Sequence, residues 1–166
     1  KNGIDFETLK SKYYANTSGS QRISKNKLDT FSGERVKSVE ELMIANFLFL
    51  NGVNYEYEKP YPHGDHMYRP DFYLTDYDIW LEHFGIDRHG RAKWLSEFQE
   101  KQYIKNMHKK RVKHRLCRTK LLETYSWYNR DNILLDKLRE MLEKSGVVFQ
   151  PLSEQEVYHK IIKQDS

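Results

Sequence analysis

Ser38 opens the first stretch with sustained hydrophobic periodicity. Behind Ser38-Val-Glu-Glu41, the residues Leu42, Ile44, Ala45, Leu48 and Phe49 recur at helical spacing as far as Asn51-Gly52. Ser38 and Glu41 have the spacing of a capping box, and Asn-Gly is a common helix stop because both residues tolerate left-handed backbone. Val53 to Tyr57 alternates apolar and polar positions, as a half-buried strand does, and Pro60 and Pro62 end it. From Tyr68 to Gly85 two runs of aromatic and β-branched residues flank a polar turn around Thr75 to Asp78, which predicts a hairpin. Ala92 to Leu116 predicts a long helix with Trp94, Leu95, Phe98, Ile104 and Met107 as its core stripe. A strand follows over Thr119 to Tyr125. Asp131 or Asn132 then caps a helix to about Lys144, with Ile133, Leu134, Leu138 and Leu142 inward and Ser145-Gly146 ending it. Val147 to Phe149 fits a short edge strand, and Ser153-x-x-Glu156 is a second capping box opening a terminal helix. This order predicts an α/β (α+β) layer fold, with a mixed central sheet flanked by helices.

Residues 1–35 lack such periodicity and read as an N-terminal extension or linker. Within it a short helix is expected over Asp5 to Tyr14, and a Ser-, Gly-, Asn- and Lys-rich loop over Asn16 to Asn26. The domain proper is expected over 36–166. At 166 residues, 38% apolar and 31% charged, the chain suits one domain with its own core. No apolar run approaches the roughly 20 residues needed to cross a bilayer. The single Cys117 excludes an internal disulfide and a Cys-rich zinc site, and fits a reducing cytoplasm. The chain opens on Lys1, as a piece of a longer protein would.

Charge changes the picture through its distribution, since the formal net is only +4. Lys105 to Lys120 holds eight Lys or Arg and no acid, whereas Arg69 to Glu82 holds four acids and one base. That segregation suits a protein that grips a polyanion and a metal together. A basic run is ordinarily a solvated helix face, but such a face would carry acids at i±4, and this one has none.

The hairpin supplies the candidate chemistry. If its turn is symmetric about Asp76 and Tyr77, position i faces 153 minus i, so Asp71 lies opposite Glu82 on one face, with Cβ atoms roughly 4.5–5.5 Å apart. Like charges so placed repel, and apolar neighbours raise the cost of burying them. A divalent cation between them turns repulsion into ligation; Mg²⁺ (or Mn²⁺) is held in this way by one or two carboxylates plus phosphate and water. The plainer alternative has one acid facing solvent, or the register slipped by one. Glu41 is accounted for as a cap, with a ligand role open beside it. The loop His63-Gly-Asp-His66 lacks the further ligands a metal site needs.

The ordered blocks Val36-Lys-Ser-Val-Glu-Glu-Leu-Met-Ile-Ala-Asn-Phe-Leu48, Tyr55-Glu-Tyr-Glu58, Pro70-Asp-Phe72, Leu81-Glu-His-Phe-Gly85 and Thr119-Lys-Leu-Leu-Glu-Thr-Tyr-Ser126 resemble the restriction-endonuclease-like PD-(D/E)xK nuclease superfamily. Within it they are similar to the nuclease domain of bacterial superfamily-one helicases of the helicase IV type, over about residues 31 to 163. The resemblance implies a Mg²⁺-dependent, endonuclease-like phosphodiesterase acting on DNA in the cytoplasm, helicase-associated through other domains of its parent chain. It implies Glu41, Asp71 and Glu82 as catalytic carboxylates, the last two on the metal. The superfamily lysine belongs two residues after the second carboxylate, where this chain has Phe84. Lys110 on the following helix is the first candidate to replace it, with Lys113, His114 and Lys120 behind. His83 neighbours Glu82, but strand alternation turns it to the other face. Lys109, Lys113, His114, Arg115, Arg118 and Lys120 are expected along the DNA backbone, and Trp80, Trp127 and Tyr128 either stack on unpaired bases or pack internally. The alternative is an inert module of the same fold that binds DNA or docks, with Phe84 marking decay.

Overall fold

The computed structural model describes residues 28–64 and 67–162. The expected helix over Asp5 to Tyr14, the Asn16 to Asn26 loop, and Asp65 and His66 lie outside the described residues. The chain divides into two compact units, one contiguous from Tyr55 to Val147, the other formed by the residues up to Asn54 together with those from Val148 onward.

In the discontinuous unit, helix α1 (Val39–Leu50) begins where the capping box predicts. The Ser38 hydroxyl accepts from the Glu41 N–H at 3.1 Å. Eight of its twelve residues, Leu42 to Phe47 with Leu48 and Leu50, are buried. A helix this apolar on all sides belongs inside a fold. Asn46 is tolerated there because its side-chain oxygen accepts the Phe31 N–H. The later residues return to this helix: Gln150 N–H donates to Asn51 O at 2.8 Å and Leu152 N–H to Leu50 O at 2.9 Å. Phe31, Leu50, Leu152 and Val157 close a small core, so the end of the expected extension is part of the fold. Gly52 sits at φ +69°, and a Cβ there would meet Gln150 O at 2.5 Å; only glycine fits this turn.

The contiguous unit carries a four-stranded mixed sheet, ordered β1 (Tyr55–Tyr57), β2 (Phe72–Leu74), β3 (Ile79–Phe84), β4 (Lys120–Tyr125). β1–β2 and β2–β3 are antiparallel and β3–β4 is parallel. Phe72 faces Leu81, Tyr73 faces Trp80 and Leu74 faces Ile79, which is the register predicted from a turn centred on Asp76 and Tyr77. Asp78 at φ +53° completes that turn. Helix α2 (Glu97–Leu116) makes the parallel crossover between β3 and β4, as parallel neighbours require.

Several local expectations change. α2 starts five residues later than predicted, at a complete capping box between Ser96 and Gln99. Trp94 and Phe98 are 64% and 71% exposed instead of core, while Met107 is buried. Trp94 is held outside the helix by its indole N–H, which donates to Gly85 O at 2.7 Å. Trp127 and Tyr128 belong to a short helix α3 (Ser126–Arg130), not foreseen in the pattern. Neither Asp131 nor Asn132 caps α4 (Leu134–Lys144): its N-cap is Ile133, and Asn132 takes φ +58° to turn the chain into it. Leu134, Leu138 and Leu142 are fully buried and α4 packs on β4. Val147 to Phe149 pairs with no strand among the described residues. The second capping box opens α5 (Glu154–Ile162), with Ser153 Oγ accepting from Glu156 N–H. Among the described residues no helix is long and apolar enough to cross a membrane.

Candidate active site

β3 is the strand around which the site is built, because its alternation puts unlike residues on its two faces. Ile79 and Leu81 are buried on one face; Trp80, Glu82 and Phe84 point to the other and are buried as well. A carboxylate at 1% exposure needs compensation, and Glu82 obtains it from two sides. One oxygen accepts the Asp71 backbone N–H at 2.6 Å, and the other lies 3.0 Å from the Lys110 ammonium. Asp71 reciprocates, accepting the His83 N–H at 2.7 Å. Side chains thus take over the ladder where the backbone pairing of β2 and β3 stops, one residue beyond Phe72–Leu81. Continued by one step, that register sets Asp71 opposite Glu82.

Lys110 reaches this pair from α2, 5.8 Å from the Phe84 ring centroid and 5.6 Å from that of Tyr68. Its side chain is 35% exposed. Burial alone would lower its pKa; the Glu82 charge and hydrogen bond, with Asp71 behind them, outweigh burial and hold it above the ordinary lysine value. The same burial, then the charges of Glu82 and Asp71, raises the Tyr68 phenol far above its usual range.

A third acid, not singled out in the sequence, extends the row. In the parallel ladder Glu82 is paired with Glu123, so Asp71, one residue before β2, is followed by Glu82 on β3 and Glu123 on β4. Arg111, next to Lys110 on α2, forks onto Glu123 with contacts of 2.6–3.0 Å, and the Tyr125 hydroxyl donates to the same carboxylate at 3.0 Å. Burial and the Glu123 charge push the Tyr125 phenol up to about 12. The acids that the basic run lacks at i±4 are therefore supplied by the sheet.

The remaining candidates separate. Lys109 and Lys113 line a cavity beside Lys110. Arg115, Arg118 and Lys120 are exposed, with Arg118 at φ +56° past the end of α2. His114 does not belong with them. It is 2% exposed, its ring nitrogens bonded to the Tyr68 hydroxyl at 3.0 Å and the Thr119 hydroxyl at 2.8 Å, so it cannot reach a phosphate. Burial, with Lys113 adjacent, lowers its pKa to about 4, leaving it neutral. His83 points away from Glu82 as alternation predicts, bonded to Thr124 Oγ1 at 2.8 Å. Trp80 is buried between Tyr73 and Tyr61 and cannot stack on a base; Trp127 lies under the Arg88 guanidinium. Glu41 lies in the other unit, in the first turn of α1. His63, from the loop short of metal ligands, is exposed, and His66 is outside the described residues.

Among the described residues no three or more His, Cys, Asp or Glu side chains gather as a metal cluster. Asp71 and Glu82 can supply two carboxylates to a cation, with water and phosphate completing its shell. That donor set suits a hard, well-hydrated ion such as Mg²⁺ and does not suit structural zinc. No family model, curated protein or solved structure matches the chain.

Proposed function

We propose that this protein is a Mg²⁺- or Mn²⁺-dependent nuclease of restriction-endonuclease-like fold that hydrolyses DNA phosphodiesters, working in the cytoplasm alongside helicase domains of the same parent chain. The observation that carries the reading is the Lys110–Glu82–Asp71 constellation. A cation arrives from α2 beside the ring of Phe84, where the superfamily pattern would have its lysine, and meets a buried carboxylate bonded across the hairpin to a second acid. Asp71 and Glu82 would hold the metal, which supplies a more acidic bound water and a polarised phosphate. Lys110 is placed to orient the attacking water or to neutralise charge on the phosphate oxygens in the transition state. Arg111, fixed by Glu123, keeps α2 in register over the sheet so that Lys110 stays aimed. The exposed cations Lys109, Arg115, Arg118 and Lys120 would follow the DNA backbone without reading sequence, which makes binding fall steeply with salt.

A second reading is favoured by one observation. Lys110 already neutralises Glu82, so the same fold could serve as an inert DNA-binding or docking module that needs no metal. A Mg²⁺ or Mn²⁺ cleavage assay on single-stranded, duplex and branched DNA separates the two. Asp71→Ala and Glu82→Ala should each abolish cleavage while DNA binding persists. Cleavage that is unchanged in either variant, or absent from the wild type on every form, refutes the nuclease.

A further inference from the structure

Beside the carboxylates, within the contiguous unit, lies a cavity of about 420 Å³. Tyr68, Phe84 and Tyr103 give it aromatic walls, Asn106 an amide, and Lys109 and Lys113 two cations. Lys110 is the wall it shares with the Asp71–Glu82 pair. The volume falls in the range of small-ligand sites, roughly 300–1,000 Å³, and suits one nucleotide, not a duplex. Its chemistry is equally divided. Ring faces stack on any base, an amide can meet a base edge, and lysines meet phosphate. The aromatic walls are pre-set: Tyr103 OH accepts the Gly85 N–H at 2.7 Å, and Tyr68 OH is bonded to His114 at 3.0 Å. The Lys113 ammonium sits 5.2 Å from the Tyr68 ring centroid, so base stacking and phosphate binding are neighbours in space.

We infer that this cavity receives one unpaired nucleotide of a DNA strand, its base against Tyr68 and Tyr103 and its phosphate on Lys109 and Lys113, and that the adjoining phosphodiester is thereby presented to Asp71, Glu82 and Lys110. For the cleavage of that phosphodiester the inference rests on the nuclease reading, and it names the substrate class: single strands, flaps or frayed ends. A base stacked inside a duplex would first have to be extruded, at a cost that disfavours intact duplex.

The test is binding by the full chain in EDTA, where cleavage plays no part. Fluorescence anisotropy compares a labelled single strand of about 12 nucleotides with the duplex of the same sequence; aromatic stacking should favour the single strand by about tenfold or more. Asn106 is an exposed helix position, so Asn106→Trp should fill the cavity at unchanged charge, weakening single-strand binding by about tenfold while duplex binding stays within about threefold. Equal affinities for the two probes, or equal effects of the substitution on both, overturn the inference. If circular dichroism shows that Asn106→Trp does not fold, Lys113→Gln replaces it and is judged by the same ratio. The two readings fail separately. A retained single-strand preference with cleavage indifferent to Asp71→Ala leaves the cavity assignment and removes the nuclease; the reverse pair of results does the opposite.

Discussion

Removing the Lys110 charge isolates the interaction on which the site depends. Lys110→Met keeps the aliphatic stem over Tyr68 and Phe84 but leaves Glu82, 1% exposed, without its cation. Stripping one partner from a fully buried ion pair costs about 3–5 kcal/mol. Lys110 is 35% exposed, so water relieves part of that penalty, and about 2–3 kcal/mol is expected. For a chain of this length that lowers Tm by roughly 5–10 °C. The informative half of the experiment is the metal response. Thermal unfolding is followed in EDTA and then in about 10 mM Mg²⁺; an ion bound with Kd on the order of 1 mM would add about 1.4 kcal/mol to whichever form binds it. Lys110→Met should gain more from Mg²⁺ than the wild type, because a divalent ion then replaces the missing ammonium instead of competing with it. A variant as stable as the wild type in EDTA would refute the claim that Glu82 is held as a buried anion. A Tm insensitive to Mg²⁺ in both proteins would refute the claim that the two carboxylates share an ion.

Glu123 and Arg111 should behave as one unit: a double-mutant cycle of Glu123→Ala and Arg111→Ala, read by urea unfolding, is expected to give a coupling of about 1–2 kcal/mol, and simple additivity would remove Glu123 from the network. His114 sets an acid limit. Its folded pKa of about 4 lies below the ordinary 6.5, so the unfolded chain takes up the proton first and stability falls as pH drops through that window. At roughly 1.4 kcal/mol per pH unit between about 6.5 and 4 the loss is about 3–4 kcal/mol, and His114→Gln should flatten the fall relative to the wild type; parallel pH curves for the two proteins would contradict this.

The hairpin is legible in the sequence because its physics is local. A short polar turn and a side-chain period of two fix which residues face each other, and that alone sets Asp71 opposite Glu82. Lys110 is reached only through the resemblance, which leaves Phe84 where a lysine is expected and points to a cation on the following helix. Glu123 does not, since its place beside Glu82 depends on β4 lying parallel to β3 across a 20-residue helix, and no short-range pattern sets that register. The start of α2 is misread for a different reason. Trp94 and Leu95 continue an apolar rhythm that Ser96-x-x-Gln99 interrupts, and the cap prevails over the rhythm. His114 looks like one more cation in a basic run; only the Tyr68 and Thr119 hydroxyls around it reveal a neutral, internal ring.

The discontinuous unit has a consequence for synthesis. Its small core joins Phe31 and Leu50 to Leu152 and Val157, and its edge is stitched by bonds from Gln150 and Leu152 back to Asn51 and Leu50. On a ribosome, α1 emerges early with nearly every side apolar, yet the residues that complete its own core are translated about a hundred positions later. Until they arrive, that helix is the segment of the nascent chain most in need of a chaperone.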